Sequence, residues 1–332
     1  MSRKFLLIRF SSIGDIVLTT PVIRALDEQI GAEVHYLTKS DFTSIVLNNP
    51  HVKKVISLTD DINETIKKLG EENYDHIIDL HHNLRSHRIK KALKKPSSSF
   101  YKLNIEKWLM VNFKINRLPD KHIVDRYMDT IALLGAKNDQ KGLDFFIPPE
   151  KKIDIEKEWS IKPGTYASIV IGAAHETKCL TANQIALLCD SLQMPVVLLG
   201  GPRELTKAEW IMKMSNSQQI KNACGRFDIL QSSSILAQSG TIINHDTGLM
   251  HIAAALKKPQ VVIWGNTIPA FGMYPHYGNQ KIKWISFEQN DLKCRPCTKL
   301  GFEKCPKGHF KCILDHDVKL IAKAALNLIT DY

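Results

Sequence analysis

The fold is decided by residues 241–256, which read TIINHDTGLMHIAAAL. The apolar run Thr241–Asn244 predicts a buried strand, and the small-residue stretch Gly248–Leu256 predicts a helix. A short turn of polar residues connects the two. The segment therefore predicts a strand, a tight turn and a helix, the repeating unit of a parallel α/β sheet.

The same alternation extends in both directions from this segment. Further strands are predicted over Phe5–Ile8, Glu33–Leu37, Val52–Ser57, His76–Leu80, Ala167–Ile171, Val196–Leu199 and Val261–Trp264. Helices are predicted near Thr181–Leu192, Glu204–Met214 and Asp228–Gln238. The pattern breaks around Pro148–Glu150, so each half is predicted to be a doubly wound α/β unit whose ligands bind beyond the carboxyl ends of its strands.

Composition narrows the class of protein. The chain has 332 residues with 44% hydrophobic content, enough for two domains with sizeable cores. The sequence contains no apolar run long enough to span a bilayer, and Arg9, Asp15 and Arg24 interrupt any signal-like stretch. We therefore expect a cytoplasmic protein.

Charge points to acidic partners. Lys and Arg number 45 against 34 Asp and Glu, a formal net charge of +11. This balance suits nucleic acid, an anionic membrane or a phosphorylated substrate, or it is a solvated basic surface. Because no known nucleic-acid-binding module occurs, no nucleic-acid partner is expected.

The turn at Asp246 has the features of a phosphate site. Free N–H groups at a helix start carry partial positive charge, and Gly248 lets an anion approach the backbone. His251 follows Thr247 by four residues and so shares its helical face. The alternative interpretation is that Asp246 is an ordinary N-cap and His251 a buried core histidine.

Two further strand ends carry ionisable residues. The stretch from Gly172 to Lys178 follows a strand, and its lysine suits the charge of a phosphate or is a solvated surface residue. Near the N-terminus, Asp15 stands at a strand-to-helix turn. It could act as a general base or could stabilise the first turn of its own helix.

Common nucleotide and hydrolase motifs do not occur in the sequence. The Gly-x-Gly-x-x-Gly fingerprint, the P-loop, the Gly-x-Ser-x-Gly elbow and the His-Glu-x-x-His pair all fail to match.

A cluster of cysteines lies near the C-terminus: Cys294, Cys297, Cys305 and Cys312. These four could bind structural zinc, pack a loop as reduced thiols or form disulfides.

Three segments together resemble glycosyltransferase family 9, the ADP-heptose:lipopolysaccharide heptosyltransferases. The first is FLLIRFSSIGDIV at Phe5–Val17, and the second, the most specific, is HDTGLMHIAAAL at His245–Leu256. The third is the cysteine-containing tail Cys294–Cys312. The resemblance covers nearly the whole chain.

The resemblance implies a GT-B fold, with two Rossmann-like doubly wound domains facing across a cleft. The acceptor-binding domain is expected over 1–155 and the nucleotide-sugar-binding domain over 156–317. A C-terminal helix over 318–332 could pack back on the N-terminal domain.

The resemblance also implies inverting transfer of a heptose or similar sugar from an ADP-sugar, without a metal or other cofactor. Asp15 matches the general base. The donor-binding positions are Lys178, Asp246, Thr247, Gly248 and His251. The same cleft could instead serve a nucleotide-sugar hydrolase or epimerase.

The acceptor is expected to be a lipid-linked anionic glycan of the lipopolysaccharide inner core. The expected acceptor-binding residues are Ser12, His82, Arg85 and Arg88. The two arginines follow a predicted strand end and suit phosphate or carboxylate groups, although a basic solvated helix start would look the same. Such an acceptor implies peripheral contact with the inner face of the cytoplasmic membrane.

Overall fold

The computed structural model describes residues 3–330, with no side-chain description for Thr330. The first sheet has five parallel strands: β1 (Lys4–Ile8), β2 (Glu33–Lys39), β3 (Lys54–Leu58), β4 (His76–Asp79) and β5 (Ser97–Ser99). The second has six: β6 (Ala167–Val170), β7 (Val196–Leu199), β8 (Ile220–Asn222), β9 (Thr241–His245), β10 (Gln260–Ile263) and β11 (Trp284–Phe287). The central strands of each are buried apolar runs, as expected for parallel sheets covered on both faces.

Helices connect the strands in both halves. In the first part of the chain they are α1 (Ile13–Val17), α2 (Thr20–Ile30), α3 (Thr43–Leu47), α4 (Ile62–Gly70), α5 (Leu84–Leu93), α6 (Asn104–Phe113) and α7 (Ile123–Met128). In the second part they are α8 (Ile155–Trp159), α9 (Ala182–Leu192), α10 (Leu205–Met214), α11 (Ile229–Ala237), α12 (Gly248–Ala255), α13 (Lys311–Leu314) and α14 (Val318–Thr330). Among the described residues, no helix is long and apolar enough to cross a membrane.

Strand order places a crevice at the middle of each sheet. The first sheet runs β3-β2-β1-β4-β5 and the second β11-β10-β9-β6-β7-β8. In both, the connections leave the two central strands in opposite directions, and ligands of doubly wound proteins bind at this topological switch point. We call the carboxyl ends of β1 and β4 the first switch point, and those of β6 and β9 the second.

The chain divides into two compact units. One contains the residues up to Leu103, Lys121–Phe146 and Tyr277–Gln280, and the other Asn104–Asp120, Ile147–His276 and the residues from Lys281 onward. The prediction of two parallel-sheet α/β domains of the doubly wound type is confirmed. The boundaries expected after residues 155 and 317 stay a prediction.

The terminal helix belongs to the core of the second unit. Ile321, Ala325 and Leu328 of α14 are buried beside apolar residues of α9 and of the second sheet. The sequence left open that this helix packs back on the N-terminal domain, but its buried face packs on the second sheet instead. Its apolar residues recur every three to four positions, which suits a helix that covers a sheet on one face.

Candidate active site

The first switch point is organised by Arg9, which follows β1 directly. The Arg9 side chain donates to the Leu80 carbonyl at the end of β4 (2.6 Å), to the Ser11 carbonyl (2.7 Å) and to the Tyr127 hydroxyl (3.1 Å). Burial acts to lower the pKa of Arg9, but Asp15, Tyr127 and Tyr36 together outweigh it and the pKa is raised. A buried, permanently charged guanidinium therefore joins the two central strands.

Asp15 is held from both sides. Its Oδ1 is 2.6 Å from Nη2 of Arg9, and its Oδ2 accepts from the Ser12 hydroxyl at 2.9 Å and from the Ser12 amide at 3.2 Å. The Asp15 side chain keeps 21% of its surface exposed. Asp15 stabilises the first turn of α1 and also presents an oriented carboxylate to solvent, so the two roles left open by the sequence are compatible.

A buried carboxylate shapes the loop that follows β4. Asp79 is fully buried and accepts from the backbone amides of His81 (3.1 Å) and His82 (2.7 Å). It also accepts from the Ser86 hydroxyl at 2.8 Å and pairs with Lys90 at 2.9 Å. These contacts fix the start of α5 beside the first switch point.

The expected acceptor residues on this loop are exposed. His82 bonds through Nδ1 to the Phe100 carbonyl at 2.9 Å, and Arg88 donates to the Asn63 side chain at 3.0 Å. Arg85 is exposed and has no polar partner within residues 3–330. The loop therefore presents two arginines to solvent in the same turn of α5.

His81 was not among the residues singled out from the sequence. Its ring packs on Phe10, with centroids 4.7 Å apart, and its Nδ1 is buried without a hydrogen-bond partner. Burial, together with the charge of Arg9, lowers the pKa of His81 to about 4. The first switch point thus contains a neutral imidazole with one ring nitrogen available to a ligand.

The second switch point contains a different ionic pair. Lys178, in the loop after β6, lies 2.7 Å from Oδ2 of Asp246, in the loop after β9. Thr267, from the loop after β10, donates to the same oxygen at 2.9 Å. Three strand-end loops therefore meet at one carboxylate.

The start of α12 lies beside this pair. Thr247 occupies the N-cap position and makes no capping hydrogen bond through its side chain. The interpretation of Asp246 as the N-cap is therefore wrong, because its carboxylate bonds to Lys178 and Thr267 instead. The first backbone N–H groups of α12, from Gly248 on, receive no capping bond from the N-cap side chain, as an anion site requires.

Two buried side chains at this site lack partners. Thr247 Oγ1 is buried without a hydrogen bond, and so are both amide atoms of Asn266, which is 2% exposed. Buried polar groups of folded proteins are almost always bonded, so each such atom is suited to a ligand. The sequence indicates a strand-end loop from the glycine before Asn266 and Thr267, but neither residue was among the expected donor-binding positions.

Two histidines lie near the second switch point, one in β9 and one in α12. His245 accepts from the Leu180 amide at Nε2 (3.0 Å) and bonds through Nδ1 to the Val170 carbonyl (3.0 Å), which joins β9 to the loops around β6. Burial lowers its pKa to about 3, so the ring is neutral. His251 is 2% exposed within α12, as the core-histidine interpretation expects.

The cysteine-containing segment supports the loop after β10. Arg295 is buried and donates to the carbonyls of Gly265 (2.6 Å) and Thr267 (2.8 Å). Gly265 is required here, because a Cβ atom would lie 2.2 Å from the Thr177 carbonyl oxygen. The segment thus fixes the loop that carries Thr267 and Asn266.

The cysteines themselves are free thiols. Cys297 donates to the Cys294 carbonyl, with Sγ and O 3.1 Å apart, and Cys294 Sγ is 3.7 Å from Nε2 of His309. Burial raises the pKa of Cys297 to about 11 and that of Cys312 to about 12. Within residues 3–330 no three His, Cys, Asp or Glu side chains are placed to hold one metal ion.

Two Rossmann-type sheets, one with a helix start beside a lysine that its N-cap side chain leaves uncapped, define a doubly wound α/β protein. The model of glycosyltransferase family 9 (heptosyltransferase) matches residues 62–301. The chain belongs to glycosyltransferase family 9 and is a glycosyltransferase.

Individual relatives agree with this assignment. Lipopolysaccharide heptosyltransferase 1 of Campylobacter coli is 25% identical over 288 residues, which cover 80% of this chain and 84% of the relative. A family 9 glycosyltransferase structure from Veillonella parvula superposes with a TM-score of 0.79 at 20% identity, over 100% of this chain and 99% of that one. E. coli ADP-heptose lps heptosyltransferase II gives 0.75 at 18% identity, over 99% of both chains. These likenesses support the fold.

Proposed function

We propose that the protein transfers a heptose from ADP-heptose to a lipopolysaccharide inner-core acceptor, with inversion at the anomeric carbon. The named relatives are lipopolysaccharide heptosyltransferases, and one solved relative is named for ADP-heptose. The residues of the two switch points are suited to the two halves of this reaction. The second receives the donor and the first the acceptor.

The observation that carries the proposal is the open anion site at the second switch point. Lys178 and the uncapped start of α12 supply positive charge beside three unpartnered polar atoms of Thr247 and Asn266. A diphosphate offers acceptor oxygens for the Thr247 hydroxyl, the Asn266 side-chain N–H and the backbone N–H groups, while Asn266 Oδ1 can accept from a hydroxyl of the donor. An ADP-sugar therefore fits this site in charge and in hydrogen-bonding capacity.

Lys178 has a reason to change partner when the donor binds. Within residues 3–330 it bonds only to the side chain and carbonyl of Asp246. A diphosphate carries more negative charge than one carboxylate, and Thr267 continues to donate to Asp246 after the lysine leaves. As the bond between the anomeric carbon and the diphosphate breaks, charge grows on the leaving oxygen, where Lys178 and the helix start stabilise it.

Asp15 removes the proton from the acceptor. The acceptor hydroxyl oxygen attacks the anomeric carbon, its proton passes to Asp15, and ADP departs with the electron pair of the broken bond. Arg9 and Ser12 hold the Asp15 carboxylate in a fixed orientation. Attack on the face opposite the leaving diphosphate gives inversion.

The acceptor is expected at the loop after β4. Arg85 and Arg88 are exposed there and suit the phosphate or carboxylate groups of an inner-core glycan. Ser12 and His82 lie on the two loops that form the first switch point. The unpartnered Nδ1 of His81 adds a buried hydrogen-bonding atom for a sugar hydroxyl.

The test is acceptor-dependent release of ADP. Purified protein is incubated with ADP-heptose alone and with a deacylated inner-core acceptor, and ADP and glycan product are quantified. We expect release that depends on the acceptor and one heptose added for each ADP. ADP release at the same rate without acceptor would instead establish a nucleotide-sugar hydrolase, and sugar isomerisation without ADP release an epimerase.

A further inference from the structure

Helix α6 differs from the other helices near the sheets because none of its ten residues is buried. Three large apolar residues on it, Ile105, Trp108 and Phe113, are each more than half exposed. Trp108 and Phe113 contact each other with ring centroids 5.2 Å apart, so the exposed rings form one cluster. Its other apolar residues, Leu109, Met110 and Val111, are half-buried, so the helix packs on the protein with one face and presents the ring cluster to solvent.

A second segment extends this apolar surface. Leu300 and Phe302 are also exposed. A cavity of about 740 Å³ is lined by α6 on one side and by Cys297–Lys299 and Phe302 on the other. We call these five residues, Ile105, Trp108, Phe113, Leu300 and Phe302, the apolar face.

The apolar face is held in a fixed position. Lys114, at the end of α6, donates through its ammonium group to the Pro296 carbonyl at 2.7 Å and to the Cys294 carbonyl at 3.2 Å. Lys107 lies over the Phe271 ring, 5.9 Å from its centroid. The exposure of the apolar residues therefore belongs to an anchored helix, and a cluster of exposed large apolar side chains is typical of an interaction surface.

Basic residues lie beside the apolar face: Lys107 and Lys299 line the same cavity, and further lysines are close to Leu300 and Phe302 in sequence. Between residues 293 and 311, Lys and Arg outnumber Asp and Glu by six to one. Lys293, Lys299, Lys304 and Lys307 are exposed in this segment. Two copies of the chain that met through this face would bring these lysines together, which disfavours self-association.

We propose that the apolar face docks the enzyme on an anionic phospholipid bilayer, with Trp108 and Phe302 inserted at the headgroup boundary and the neighbouring lysines on lipid phosphates. Aromatic and aliphatic side chains beside lysines are the composition of interfacial membrane helices. Aliphatic Ile105 and Leu300 offer no stacking surface to nucleic-acid bases, so a lipid suits the face better. This inference rests on the proposed function, since a lipid-linked acceptor would be met at that surface.

The test is co-sedimentation with vesicles of phosphatidylcholine, alone or mixed in equal parts with phosphatidylglycerol. We expect binding to the mixed vesicles that weakens at high salt, and a loss on the order of tenfold in the double variant Trp108→Glu/Phe302→Glu. The matched control is Leu187→Glu/Trp210→Glu, which adds the same charges elsewhere, since Trp108 is 55% and Trp210 49% exposed. The control is expected to bind as the wild type does.

Fluorescence gives a readout that needs no charged substitution. Brominated lipids should quench wild-type tryptophan emission, and Trp108→Phe should lose most of that quenching while still binding vesicles.

Turnover of a deacylated soluble acceptor should stay unchanged in the Glu variants, so a failed activity assay would count against the proposed function and not against docking. Equal vesicle binding by wild type and the Trp108→Glu/Phe302→Glu variant, or a wild-type dimer that this variant dissociates, would overturn the proposal.

Discussion

Two ionic pairs occupy equivalent positions in the two sheets but differ in which partner is fixed. In the first, Arg9 is held by three further acceptors, and Asp15 is the more exposed member at 21% against 10%. In the second, Lys178 bonds to no residue of the described chain except Asp246, and the carboxylate has an additional donor in Thr267. The cation is therefore the fixed member of the first pair, and the carboxylate that of the second.

The neutral histidines repeat this contrast. His81 at the first switch point keeps a ring nitrogen without a partner, while His245 at the second uses both nitrogens to join strands and loops. One ring is suited to contact a ligand, and the other stabilises the sheet.

The largest effect is expected from Asp15→Asn. The amide keeps the size of the side chain but cannot accept the acceptor proton, so turnover should fall about 10²- to 10⁴-fold. Steady-state rates at saturating ADP-heptose and acceptor measure this. The control Asp41→Asn, at an exposed site, should keep wild-type turnover. Near-normal turnover of Asp15→Asn would remove Asp15 as the base.

Replacing Arg9 should lower the free energy of unfolding more than replacing Lys178. Arg9→Met leaves the Leu80 and Ser11 carbonyls without their donor and Asp15 without its cation, a loss of about 3 kcal/mol. Lys178→Met should cost about 1 kcal/mol or less, because Thr267 still donates to Asp246. Denaturant unfolding of both variants checks this. Equal losses would show that the two pairs are equally structural.

Acid should destabilise the protein through His245. Its pKa in the folded protein, lowered to about 3 by burial, lies below the ordinary value of 6.5, so the unfolded chain binds the proton more readily. The free energy of unfolding should therefore fall as pH drops below 6.5, by up to about 1.4 kcal/mol per pH unit. His245→Gln, which keeps one donor and one acceptor, should show a shallower slope in urea unfolding across pH. Identical slopes for the wild type and His245→Gln would contradict the assignment.

The smallest effect is expected from Thr267→Val. The substitution removes the donor to Asp246 at nearly constant volume, which should cost about 1 kcal/mol of stability and raise the KM for donor a few-fold. Initial rates at varied ADP-heptose measure the second effect. A change in turnover with unchanged KM would place Thr267 in the chemical step instead.

Much of the fold could be predicted because buried strands are recognisable in the sequence as short apolar runs. The prediction for Thr241–Asn244 falls within β9, and that for Val196–Leu199 coincides with β7. The edge strand Ser97–Ser99 gave no signal, since three serines carry neither alternation nor apolar content. Short polar strands form because a neighbour offers free backbone groups, and a single sequence does not contain that information.

The sequence indicated some residues of the candidate site but none of the contacts between them. Lys178 and Asp246 each stood out at a strand end, yet their contact depends on β6 lying beside β9. Arg9 looked like an interruption of an apolar run, because its partner Leu80 lies on a distant strand that pairs with β1. Both contacts form because strands that are far apart in the sequence pair with each other in the sheet.

Titration of ADP into the wild type, Lys178→Met and Asp15→Asn tests the difference between the two switch points most directly. The donor site at the second switch point predicts that Asp15→Asn binds ADP like the wild type and that Lys178→Met binds about 10- to 100-fold more weakly. Unchanged ADP affinity in Lys178→Met, or an equal loss in Asp15→Asn, would contradict the assignment of the diphosphate to the second switch point.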